Sequence, residues 1–194
     1  MALEYKVQAE LAFAAYAELS PELSDQAYIN ALRIDGRGMS PTQAQEFALK
    51  WRVVDQFDGS VERTYTDEFG QEHVYQSPTG ASATVFEEVE TGRRVLAIRG
   101  TDDGDWRDYA TDLALFLGAE PEDTAQYKAL SAQVQEWLDN DILSSGFTVA
   151  GHSLGGFLAG GLMVDYPNYV DHAFVFNAPG VGGLSAEFDI LTAA

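Results

Sequence analysis

The sequence predicts an α/β fold: a mostly parallel sheet with helices on both faces. Three observations carry that expectation. In the second half, the apolar segments FTVAG (147–151) and HAFVFNAP (172–179) flank LGGFLAGGLMVDY (154–166), which has a helical pattern. Strand–helix–strand repetition of this kind builds parallel sheets through right-handed crossovers. Earlier, VLAI (95–98) is apolar at every position, as in a strand buried on both faces. The front fifty residues carry helix signals instead. With 194 residues, 46% of them apolar, the chain suits one domain with a buried core. We read 1–194 as a single, partial domain in which 1–50 form a helical N-terminal segment.

Taken in order, Leu3, Val7, Leu11, Ala15 and Leu19 recur at helical spacing and predict an amphipathic first helix. A second is expected from about Pro21 to Leu32. Ser40-Pro41-Thr42-Gln43 supplies an N-cap serine, a proline at the first helical position and a glutamine three residues after the cap. This predicts a helix through Lys50. From Trp51 the pattern changes to β-branched and aromatic segments broken by Asp58-Gly59, Phe69-Gly70 and Pro78-Thr79-Gly80, which read as strands and turns. In ASATVFEEVETGRRVLAIRG (81–100), Thr91-Gly92 turns a hairpin whose second arm lies inside the sheet. Tyr127, Leu130, Val134, Trp137 and Leu138 then share one side of a helix expected over Glu122 to Asp139.

Composition excludes several function classes. The net charge is −20, and a surface so acidic repels phosphate backbones, so nucleic acid is not an expected partner. The chain has no cysteine, which rules out disulfides, a thiol nucleophile and zinc–thiolate sites within it. Its start interrupts the apolar positions with Glu4, Lys6 and Glu10 and reads neither as a secretory signal nor as a membrane span. Two locations fit: an exported bacterial protein whose signal lies outside this chain, or the cytoplasm.

The chemistry concentrates at Gly151-His152-Ser153-Leu154-Gly155, a G-x-S-x-G pattern after a predicted strand and at the opening of a predicted helix. A sharp strand-to-helix turn forces the serine into a strained backbone, and Gly151 and Gly155 remove side chains that would collide there. The serine hydroxyl is then expected alone above the sheet edge. The amide of Leu154, at the helix N-terminus beside it, is half of an oxyanion hole. The alternative is a glycine-rich helix start packed closely on its sheet, which Ala159, Gly160 and Gly161 would equally serve.

Three stretches together resemble the class 3 (fungal-type) lipases of the α/β-hydrolase superfamily. VLAIRGTDDGDWRDYATDLALF (95–116) resembles that family's strand ending in Arg-Gly-Ser/Thr with a following Trp and Asp-Leu pair. VAGHSLGG (149–156) resembles its nucleophile elbow, and AFVFNAPGVGG (173–183) the next strand. The resemblance runs from about Ser82 to Gly183. It implies an α/β-hydrolase-like fold and hydrolysis of carboxylic esters of lipids through an acyl-enzyme. Ser153 would be the nucleophile and Thr101 the second oxyanion-hole residue beside Leu154. Asp112 resembles the aspartate that fastens the oxyanion residue, although it stands further from Trp106 than the family pattern does.

Trp106, Tyr109, Leu113 and Phe116 form an apolar helical stripe between these motifs. It fits both a lid over 106–117 that opens at a lipid–water interface and a surface helix docked on the core. Asp102, Asp103, Asp105 and Asp108 offer hard oxygen ligands for calcium, or a solvated acidic turn; the spacing is not that of an EF-hand loop. No cofactor is required by the chemistry.

A serine nucleophile needs a general base. Of the three histidines, His73 precedes the serine among the hairpins, and His152 adjoins it and is expected to bond locally. His172 opens the next strand, at the expected non-catalytic edge. Asp189 is the best-placed later acid, and no histidine follows it. The resemblance implies a triad histidine, and with it the acid, beyond Ala194. Ser185 reads as the N-cap of a helix running into EFDILTAA without a C-cap glycine, the basis for expecting a partial chain. The competing function is a catalytically incomplete hydrolase fold serving as an acidic binding or scaffold module.

Overall fold

A computed structural model of the chain describes residues 2–33, 38–60, 63–66, 71–76, 79–100, 121 and 124–178. The elements are α1 (Ala2–Ala14), α2 (Asp25–Ala31), α3 (Pro41–Lys50), β1 (Trp51–Asp58), β2 (Arg63–Thr66), β3 (Glu72–Gln76), β4 (Ser82–Glu88), β5 (Arg94–Ile98), α4 (Ala125–Asp139), β6 (Phe147–His152), α5 (Leu154–Asp165) and β7 (Val170–Phe176).

Local chemistry sets the helix ends. Ser40 caps α3 with the reciprocal bonds the sequence predicts: Gln43 N donates to its hydroxyl (3.3 Å), and Ser40 N donates to Gln43 Oε1 (3.1 Å). Ser24 caps α2, which begins at Asp25 rather than near Pro21, and Thr124 caps α4, which begins at Ala125 rather than Glu122. In both cases a side-chain oxygen takes a free backbone amide of the first turn, and the helix starts where that bond forms.

The first helix departs from its expected stripe. It ends at Ala14, and Leu3 is 77% exposed. Residues four apart drift by about 40° around a helix of 3.6 residues per turn, so a row of four-residue steps winds off any one face. The face that is buried holds Gln8, Leu11, Ala12 and Ala15.

Five strands form one sheet in the order β1-β4-β5-β6-β7, and β2 and β3 form a separate antiparallel ribbon. β5, β6 and β7 pair in parallel. β1 and β5 each pair antiparallel with β4, so four of the five strands share a direction and β4 runs against them. Two cores flank the sheet. Val95, Ala97, Ala150, Phe86 and Phe174 pack under α1, α2 and α3. Leu96, Ile98, Val149 and Val85 pack under α4 and α5, with Trp137 and Phe157 fully buried. Alternation along β5 thus feeds both layers, as its unbroken apolar pattern requires.

A bulge in β1 changes which layer each residue meets. Regular pairing with β4 shifts between Val53 and Asp55. Val53 faces the α1–α3 side, whereas Phe57 joins the opposite core, although residues four apart on a regular strand share a face. Beyond the bulge, Asp55 accepts a bond from Trp137 Nε1 (2.7 Å) on one side of the sheet. Gln56 turns to the other, where it holds the chain that leaves α1.

Candidate active site

β6 runs into α5 through a single residue, Ser153, at φ 60° and ψ −126°. This lies in the positive-φ region that side chains oppose, and such a conformation persists only when its surroundings dictate it. They do so here from three directions. Ser153 N donates to Phe176 O of β7 (2.8 Å), while Ser153 O accepts from Gly156 N (3.0 Å) and Phe157 N (3.1 Å), which closes the first turn of α5. A Cβ at Gly151 would collide with the carbonyl of Gly155, and one at Gly155 with the carbonyl of Ile98 at the end of β5. Both glycines are therefore needed for α5 to start this close to the sheet.

The parallel strands deliver their ends to one edge. Ile98 pairs with Gly151, and His152 with Phe176, so β5, β6 and β7 all terminate beside Ser153. Gly100, two residues past β5, presses against the elbow: a Cβ there would lie 2.6 Å from His152 O and 3.3 Å from Ser153 Cβ. The amides of Leu154 and Gly155 precede the first intrahelical bonds of α5, where helix geometry supplies no backbone acceptor. The positive end of the helix dipole adds to them, and this edge suits developing negative charge.

Ser153 itself is 2% exposed. The sequence leads one to expect a hydroxyl standing clear of the sheet edge; instead the residue is buried. Thr101, Asp112, Asp189, the stripe from Trp106 to Phe116 and the aspartates 102, 103, 105 and 108 lie outside the described residues.

The histidines separate clearly. His152 is half-buried, with Nδ1 3.2 Å from the hydroxyl of Tyr16, and burial lowers its pKa below the ordinary 6.5, so the ring is neutral at neutral pH. His172 pairs with Thr148 near the start of β6, about 16 Å from Ser153 along the strand at 3.3 Å per residue, and stacks on Phe174. His73 sits in β3, its backbone paired with Tyr65 in the separate ribbon. Of the histidine side chains described, only that of His152 is at the serine's edge, and its contact is Tyr16. Tyr16 is the residue at this edge that sequence reasoning missed. No local pattern marks it, because the pairing spans 136 positions.

Among the described residues, no group of three His, Cys, Asp or Glu side chains is arranged to hold a metal ion. Nor is any described helix long and apolar enough to cross a membrane.

A family described as phospholipase-like, Tle-like phospholipase domain, matches residues 51–188. Comparison with curated proteins finds no match. Among solved structures the fold is similar to the Lip2 lipase of Yarrowia lipolytica, with a TM-score of 0.53 and 17% identity, covering 92% of this chain and 61% of that one. Lipase II of Rhizopus niveus aligns with a TM-score of 0.39, 12% identity and coverage of 92% and 64%. The Rhizomucor miehei lipase in its propeptide complex gives 0.44, 11%, and 93% and 55%. The chain thus spans less than two thirds of each of these lipases.

Proposed function

Because this chain belongs to the Tle-like phospholipase domain family, we propose that it hydrolyses carboxylic esters of lipids, with Ser153 as the nucleophile of an acyl-enzyme. The observation that carries this reading is the backbone of Ser153, held at φ 60° between a parallel strand and a helix N-terminus by two glycines that admit no side chain. Strain of this kind, on a polar residue at the carboxyl edge of a parallel sheet, is where α/β folds place a nucleophile.

In the proposed reaction Ser153 Oγ attacks the ester carbonyl as its proton passes to a general base. The carbonyl oxygen takes up negative charge beside the amides of Leu154 and Thr101. The tetrahedral intermediate collapses with loss of the alcohol, which receives the proton, and water then cleaves the acyl–serine bond. None of the histidine side chains described is placed to be that base, and no step is assigned to one. Because Ser153 is 2% exposed, an ester reaches it only when the surrounding chain yields.

The burial of Ser153 and the placement of the histidines favour a second reading, a catalytically silent acidic binding module. A fluorophosphonate probe separates the two. On the hydrolase reading it labels the full-length protein, and Ser153→Ala abolishes the label; equal labelling of both forms would rule out Ser153 as the nucleophile. Phospholipid and triacylglycerol emulsions then identify the preferred ester.

A further inference from the structure

After α1 the chain makes a tight turn that sets Tyr16 between two buried alanines, Ala15 and Ala17. Ala15 N donates to Leu11 O (3.1 Å), Tyr16 N to Phe13 O (3.2 Å) and Ala17 N to Ala14 O (3.0 Å). The sheet clamps this turn through Gln56. Its Oε1 accepts from Leu19 N (2.7 Å), and its Nε2 donates to Ala17 O (2.9 Å) and Thr84 Oγ1 (2.8 Å). Gln56 reaches the turn only because the β1 bulge has put it on the α1 side of the sheet.

Held in this way, the Tyr16 hydroxyl lies 3.2 Å from His152 Nδ1. It also packs on Gly100 so tightly that a Cβ there would sit 2.5 Å from the phenol oxygen. A single hydroxyl therefore bears on the two chain segments that frame Ser153, the end of β6 and the residue two past β5. Tyr16 lies upstream of the matched region, 51–188.

We propose that Tyr16 is a positioning residue for Ser153, its hydroxyl joining His152 to Gly100 and holding these two segments at the spacing the elbow requires. This rests on Ser153 being the nucleophile. The strained serine is fastened on its far side by Phe176 O, and the Tyr16–His152–Gly100 contact supplies the restraint on the near side. A nucleophile displaced by about 1 Å loses of the order of a hundredfold in rate, so a bond that fixes the preceding residue acts on turnover rather than on substrate affinity. The aromatic ring alone is not sufficient. Its tilted contact with the imidazole, at 6.4 Å between centroids, would survive in phenylalanine, whereas the bond to Nδ1 would not.

The test compares Tyr16→Phe, His152→Ala, His152→Asn and the Tyr16→Phe/His152→Ala pair in the full-length protein. The readouts are the rate of Ser153 labelling by a fluorophosphonate, kcat and KM for a short-chain ester, and the melting temperature. Tyr16→Phe is expected to slow labelling and kcat about tenfold, the scale of one lost hydrogen bond, with KM unchanged and the melting temperature lowered by about 2–4 °C. The pair should lose less than the product of the two single losses, because both changes break the Tyr16–His152 contact. His152→Asn, which keeps a hydrogen-bonding group near the Nδ1 position, should retain most of the rate. A Tyr16→Phe protein that labels at the unaltered rate overturns the proposal while leaving the hydrolase reading intact, as does a loss that adds to that of His152→Ala. An unaltered protein whose Ser153 never labels overturns both.

Discussion

Ser153 holds a backbone conformation that its own side chain opposes. A non-glycine residue at φ 60° and ψ −126° costs about 1–3 kcal/mol, and glycine relieves most of it. Ser153→Gly should therefore raise the stability measured by urea unfolding by about 1 kcal/mol, net of the entropy glycine adds to the unfolded chain, while Ser153→Ala should bring no such gain. Neither should react with the probe. If the two variants have the same urea midpoint, the elbow is unstrained and its link to reactivity is lost. At this scale Gly151 and Gly155 were legible in the sequence, since the steric demand of a strand-to-helix turn is local. The burial of Ser153 and the partnership of Tyr16 with His152 were not, because both depend on how separate segments pack, and Tyr16 and His152 stand 136 positions apart.

At the scale of elements, the bulge of β1 decides more than its one extra residue suggests. By reversing the alternation after Val53, it lets Phe57 enter the core under α4 and α5 and Asp55 meet Trp137, while Gln56 faces α1. Deleting Val54, the extra residue, makes the strand regular and leaves Val53 against Phe86 and Asp55, Gln56 and Phe57 against Val85, Thr84 and Ala83, so each side chain keeps its layer. Such a variant is expected to keep its near-ultraviolet circular dichroism and its cooperative unfolding. Loss of the native spectrum would show that the bulge does more than set the alternation. The strand itself was legible in its β-branched and aromatic content, yet the bulge was not, since no glycine or proline marks it. The helix caps at Ser40 and the hairpin glycine at position 92, with φ 74°, were legible because each is fixed by neighbours within a few residues. The stripe assigned to α1 failed at Leu3 for the opposite reason: which side of a helix is buried depends on the surface it meets.

Across the whole molecule, the matched region and the folding unit do not coincide. The match begins at Trp51, but one complete face of the sheet, with Phe86, Val95, Ala97, Ala150 and Phe174, is covered by α1, α2 and α3. A chain beginning at Trp51 should expose that face, bind a hydrophobic dye such as ANS and aggregate. A soluble monomer that unfolds cooperatively would show that the helical layer is dispensable. By itself the sequence determined the α/β class, the strand–serine–helix elbow, the acidic character and the resemblance to lipases, because periodicity, composition and short motifs record local physical demands. The tertiary structure alone decided which helices cover which face, how deeply Ser153 lies and that Tyr16 reaches His152. Those outcomes depend on close packing between distant segments, and no window of neighbouring residues encodes the shape of the surface it will meet.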